Sequence, residues 1–149
     1  MKGLLEKRVP NLCEPAPARF SGGLPPVDSL AEMARAGLRT LVDLRPSSEW
    51  AGKDWRGDVE AAGIAFHQLP IDGMDDLDHA RLERFWRYWS DDALCPVLIH
   101  CASGNRVGAA VALAAHRIDG QSPEAALALG EAAGLSRSRE EVMARLATD

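Results

Sequence analysis

The stretch Val97-Leu-Ile-His-Cys-Ala-Ser-Gly-Asn-Arg-Val-Gly108 decides the fold and carries most of the chemistry. Pro96 opens the run Val97 to Cys101, apolar enough for a buried strand. After a tight turn containing Gly104, an alanine-rich run from about Arg106 to Ile118 predicts a helix that is apolar on nearly every side, the central buried helix. A strand that ends where a helix begins delivers its last residue to the carboxyl edge of a sheet, where open α/β folds bind ligands. Cys101 holds that place. Backbone N–H groups of such a loop, with the helix dipole, form an anion nest. That positive potential favours a thiolate at its floor. Gly104 permits the left-handed turn the loop needs, and Arg106 returns a planar, two-pronged donor suited to tetrahedral oxyanions. Nucleophile (Cys101), anion cradle (Ala102, Ser103, Gly104, Asn105) and charge clamp (Arg106) lie within consecutive residues. The bare Cys-to-Arg spacing is a weak signal. Its context, an apolar strand before and a small-residue helix after, is the specific part.

Outward from this segment, strand and helix signals alternate, the mark of an α/β domain. Arg19 to Ser21 is a candidate first strand, ended by Gly22-Gly23 and Pro25-Pro26. Asp28 is placed to cap a helix with Leu30, Met33 and Ala34 on one face. Leu38 to Leu44 reads as a buried strand and Ile64 to Leu69 as another, with a helix from Trp55 to Ala62 between them. Asp78 caps an amphipathic helix whose stripe is Leu82, Phe85, Trp86 and Trp89. Ser122-Pro123 starts a further helix, and Ser138 with Glu141 reads as a capping box for the last. The expected architecture is a three-layer α/β/α domain over residues 1–149 around a small, largely parallel sheet. Residues 1–18 are expected to be a loosely ordered N-terminal segment.

Bulk properties narrow the function classes. The chain has 149 residues, 46% hydrophobic and 26% charged, with a formal net charge of −5. One core suffices at that length, and the acidic balance argues against an electrostatic grip on nucleic acid or a membrane surface. Any anionic substrate must be held by a local positive site. Met1 to Pro10 lacks the apolar core of a signal peptide, so a cytoplasmic location is expected. Of the three cysteines, Cys95 and Cys101 lie roughly 20 Å apart along a strand, too far to bridge.

The segment VLIHCASGNRVGAA resembles the signature of the cysteine-dependent protein tyrosine and dual-specificity phosphatases. FSGGLPPVDSLAEMARAGLRTLVDLRPSSEW and GLSRSREEV extend the likeness to a bacterial phosphatase-like family known as beta-lactamase-hydrolase-like and as a sulfur transferase. The resemblance implies a central four-stranded sheet with helices on both faces. It also implies a cysteinyl-phosphate intermediate on Cys101, with Arg106 binding phosphate, and no cofactor or metal. Two residues depart from the signature. Four residues separate Cys101 from Arg106 where phosphatases have five, a gap that resembles the rhodanese-type sulfurtransferase loop. Val107 stands where phosphatases place a serine or threonine, for which Ser103 is a candidate substitute.

Thiolate attack on a phosphate ester needs an acid for the leaving oxygen. Asp72 lies in Leu69-Pro-Ile-Asp-Gly73, at the carboxyl end of the preceding strand, in a context similar to the acid loop of small dual-specificity phosphatases. Asp75 and Asp76 compete with it. His100 is either an orienting group or a satisfied core histidine, and Arg45 with Glu49 is read first as a surface ion pair, with a place on the rim of the same site as the alternative. A zinc site from Cys95, His100, Cys101 and His116 is disfavoured, because His100 and Cys101 point to opposite faces of a strand. The leading expectation is a phosphoric monoester hydrolase acting on a phosphorylated small molecule or phosphoprotein. A persulfide-carrying sulfurtransferase on Cys101 and a catalytically weak phosphate-binding module are the alternatives.

Overall fold

A computed structural model describes residues 1–148. Five strands form one sheet: β1 (Cys13–Ala16), β2 (Arg19–Gly22), β3 (Thr40–Asp43), β4 (Ala65–Gln68) and β5 (Val97–His100). Their spatial order is β1-β2-β5-β3-β4, and all neighbours are parallel except the β1–β2 pair. The helices are α1 (Lys2–Arg8), α2 (Leu30–Arg35), α3 (Trp55–Ala61), α4 (His79–Ser90), α5 (Asn105–Arg117), α6 (Pro123–Ala132) and α7 (Arg139–Ala147).

The central strands β3 and β5 are buried at every position, as expected for parallel strands covered on both faces. Their side chains alternate between two cores. Leu41 and Leu98 join Leu5, Met33, Trp55 and Val59 under α1–α3, whereas Val42, Val97, Ile99 and Cys101 join Leu82, Phe85, Val111 and Val142 under α4–α7. This alternation puts His100 and Cys101 on opposite faces, as their adjacency in a strand requires.

Two expectations are corrected. The sheet has five strands, not four. The extra one, β1, carries Pro15, which a ladder tolerates only at an edge. Nor are residues 1–18 loosely ordered. Leu5 and Val9 are buried in the core beneath α2, Arg8 pairs with Asp28, and β1 docks antiparallel on β2. The short apolar spacing Leu5–Val9 on a seven-residue helix gave too little periodicity to stand out. Among the described residues no helix is long and apolar enough to cross a membrane.

Candidate active site

Cys101 follows the last residue of β5 and lies at the floor of the turn, 1% exposed. Its N–H donates to the Gly22 carbonyl at 3.2 Å, and Leu24 N–H donates to the Ala102 carbonyl at 3.1 Å, so the end of β2 flanks the loop. Gly104 has φ of 102°, a conformation side chains rarely adopt, and its N–H donates to Cys101 Sγ at 3.0 Å. The first helical residue, Asn105, follows at once. Among the described residues, the N–H groups of Ala102, Ser103, Asn105 and Arg106 donate to no backbone carbonyl outside the loop. The sulfur therefore sits at the bottom of a turn rich in free donors, at the N-terminus of a thirteen-residue helix.

Arg106 is fixed from one side. Its Nη1 donates to Glu49 Oε2 at 2.7 Å and to the Ile71 carbonyl at 3.0 Å, and its Nη2 donates to Glu49 Oε1 at 2.8 Å. With both Nη1 hydrogens and one Nη2 hydrogen engaged, Nε–H and the second Nη2–H remain as a parallel fork. The hydrogen bond from Arg106 holds the Glu49 carboxyl below the usual carboxylate range, against a smaller opposing effect of burial. Arg106 in turn is held more firmly charged, chiefly by Glu49, with Cys101 also contributing. Thus Glu49 does not pair with Arg45 on the surface. Arg45 is itself buried, binding Asp43 through Nε (3.1 Å) and Nη2 (3.0 Å), while Trp50 Nε1 donates to the same carboxylate at 3.0 Å.

His100 is fully buried and serves both of its expected roles. Trp55 Nε1 donates to His100 Nε2 at 3.2 Å. An indole N–H only donates, so the ring proton resides on Nδ1, which donates to the Cys101 carbonyl at 3.1 Å. Burial pushes the His100 pKa down, more than the nearby Asp43 raises it. The neutral ring thus braces the backbone of the candidate nucleophile.

The three loop aspartates separate clearly. Asp75 Oδ1 pairs with Arg145 Nη2 at 3.0 Å, and Asp76 Oδ2 accepts the Asp72 N–H at 2.8 Å. The Asp72 carboxylate is left exposed on a groove of about 470 Å³ whose other walls include Glu49, Met74, Arg106, Arg137 and Ser138. Val107 is buried in the core and offers no hydroxyl. Ser103 turns its hydroxyl to Arg137 Nη2 at 3.2 Å, into a neighbouring hollow with Asn11 and Cys13.

Long-range contacts complete the site. Asn105 Oδ1 accepts the N–H groups of Ser136 (3.0 Å) and Ser138 (3.1 Å), and its Nδ2 donates to Ser138 Oγ at 2.8 Å. Ser138 therefore does not cap α7 through its side chain, and Glu141 pairs with Arg145 at 2.9 Å instead of closing a capping box. The hydroxyl is drawn into the loop because Asn105 supplies a buried donor within reach. The Glu49 clamp, the Asn105 anchor and Arg137 escaped sequence reading. Glu49, Asn105 and Ser138 were each named from the sequence, but chiefly for other tasks.

Comparison with known proteins agrees with this geometry. Residues 12–144 match the family model described as "DSP-PTPase phosphatase fused to NAD+ Kinase". The Beta-lactamase hydrolase-like protein of Xylella fastidiosa (strain Temecula1) is 31% identical over 122 residues, covering 78% of this chain. The chain spans only 28% of that relative's length. A DUF442 protein from Shewanella putrefaciens CN-32 superposes with a TM-score of 0.70 at 21% identity, over 99% of this chain and 97% of its own. The core catalytic domain of the PP-IP phosphatase SIW14 from S. cerevisiae, with citrate, gives 0.71 at 15% identity, over 94% and 85%. P. aeruginosa TpbA in complex with pTyr gives 0.64 at 21% identity, over 93% and 91%. These structures share the fold. The matched family is one of phosphatases, which disfavours the sulfurtransferase reading of the short loop. By the match across residues 12–144, the chain belongs to the dual-specificity, protein-tyrosine-phosphatase-like (DSP-PTPase) family.

Proposed function

We propose that Cys101 attacks the phosphorus of a phosphate monoester while Arg106 and the amides of Ala102, Ser103 and Asn105 hold the equatorial oxygens and the Gly104 amide holds the sulfur. One observation carries this reading: Cys101 Sγ accepts the Gly104 N–H at 3.0 Å beside a guanidinium whose free fork is set by Glu49. Donors fixed before reaction stabilise charge as it develops, without reorganisation. In the first step an S–P bond forms as the P–O ester bond breaks, and the Asp72 carboxyl gives its proton to the leaving oxygen. In the second, water attacks phosphorus, Asp72 takes its proton, and inorganic phosphate departs as the thiolate is restored.

The substrate is a phosphorylated small molecule or phosphoprotein, not a nucleic acid or a lipid surface. TpbA with pTyr and the PP-IP phosphatase SIW14 support the substrate range, and the net charge of −5 supports the exclusions. The cysteines Cys13, Cys95 and Cys101 are unpaired, which suits a reducing compartment such as the cytoplasm.

Asp72→Asn provides the test. With an alkyl phosphate, kcat/KM, which reports only the first step, should fall by about a hundredfold or more, the range of general-acid catalysis. With para-nitrophenyl phosphate, whose leaving group departs unprotonated, the first step should lose far less. Equal losses on both substrates, or none on either, would remove Asp72 from its role.

A further inference from the structure

Arg137 is unused by the reaction just described. It is exposed, and it lines the groove shared by Arg106 and Asp72. Exposed arginines are common, and one alone means nothing. This one is held at two points. Asn105 Oδ1 grips the backbone N–H on either side of it, Ser136 at 3.0 Å and Ser138 at 3.1 Å. At its tip, Nη2 reaches Ser103 Oγ at 3.2 Å, on the anion loop itself. Both anchors belong to the loop and first helical residue that cradle the phosphate. Among the described residues, Arg137 pairs with no carboxylate, whereas Arg106 spends one edge on Glu49. The groove thus carries a second, uncompensated guanidinium at its rim, set in place before any ligand arrives.

Resting on the phosphatase reading of this groove, we propose that Arg137 is a second anion subsite and that the preferred substrates carry another anionic group, a phosphate or a carboxylate, beside the phosphoryl group that is cleaved. A guanidinium fork fits either oxyanion. Part of its hydrogen-bonding capacity is taken by a neutral hydroxyl, a partner that a charged oxygen displaces readily because charge-assisted hydrogen bonds are the stronger. The scissile phosphate lies over Arg106, so the second anion extends toward the Ser136–Ser138 segment. Asp72 lines the same groove, and once protonated for its task it does not repel that group.

The test compares phenyl phosphate with its ortho-carboxylated and ortho-phosphorylated derivatives. The wild-type kcat/KM should favour at least one doubly anionic substrate about tenfold or more, the scale of one charge-assisted hydrogen bond. Arg137→Ala should bring that ratio near one, Arg137→Lys should keep part of it, and Arg137→Glu should reverse it. The ratio is the readout, so a general loss from the missing Ser103 contact does not imitate the result. The two derivatives separate a carboxylate from a phosphate as the preferred group. A binding arm uses Cys101→Ser protein, with calorimetry on inorganic phosphate and on inorganic pyrophosphate. Pyrophosphate should bind about tenfold tighter, and the added Arg137→Ala change should erase the gap. Turnover without any preference for the second anion, or a preference that persists in Arg137→Ala, overturns the subsite. Absent turnover with the binding gap intact would sink the hydrolytic mechanism and leave the subsite standing. Absent turnover with no gap rejects both.

Discussion

In the proposed mechanism Glu49 sets how Arg106 meets an anion, because it takes one edge of the guanidinium and leaves the other as a fork. Glu49→Gln keeps the size but replaces one acceptor oxygen with a donor that faces the guanidinium. Inhibition by inorganic phosphate should weaken about tenfold, the loss expected for one charge-assisted contact, and steady-state competition measures it. The pair also sets an acid limb in stability. A carboxyl held below its usual value by Arg106 stabilises the fold above about pH 4.3, the unfolded value. That contribution is lost as pH falls through the lower folded value. In Glu49→Gln the acid limb of a denaturation-versus-pH curve should be shallower. The placement of Cys101 and Arg106 on one loop was legible at this scale because they lie five positions apart in one strand-loop-helix unit. Glu49 stood fifty-seven positions from Arg106, and no local pattern announces a clamp at that distance. Its neighbour Arg45 offered a nearer but wrong partner.

The elements that position the loop meet at α5. Gly108 of α5 lies so close to the start of the Leu135 segment that an added Cβ would stand 2.1 Å from Leu135 N and 2.8 Å from the Gly130 carbonyl. These neighbours are backbone and yield only if α6 shifts. Gly108→Ala should cost about 1–3 kcal/mol or more by overpacking, read by urea denaturation. Because Ser136 and Ser138 follow directly, activity should drop beyond what the residual folded fraction explains. Helix α5 itself was plain in the sequence, since its alanine-rich character requires burial wherever it lies. The Asn105 anchor was not, because the serines it binds are thirty-one and thirty-three positions away. The amphipathic stripe of α4 was read correctly for the same reason as α5: periodicity is local, and long-range hydrogen bonding is not.

For the molecule as a whole, two cores clamp one sheet, and the N-terminal residues belong to one of them. Leu5 is fully buried against the α2–α3 side. Leu5→Ala should therefore destabilise the fold by about 2–5 kcal/mol, seen as a lowered denaturation midpoint; a change near zero would return residues 1–18 to a loose tail. Asn11 Nδ2 donates to the Ser103 carbonyl at 2.9 Å, so this segment also braces the anion loop. Sequence reading missed it because charged residues and prolines dominate there, while its few apolar side chains find their partners far along the chain. The proposed mechanism turns on one chemical event, transfer of a phosphoryl group to sulfur. The direct test is acid-quenched mass spectrometry of the protein during turnover of an aryl phosphate, with Cys101→Ser in parallel. The account predicts a phosphoryl adduct on the peptide bearing Cys101, and loss of both adduct and turnover in Cys101→Ser. Turnover that persists in Cys101→Ser at the wild-type rate, with no adduct on Cys101, would contradict it.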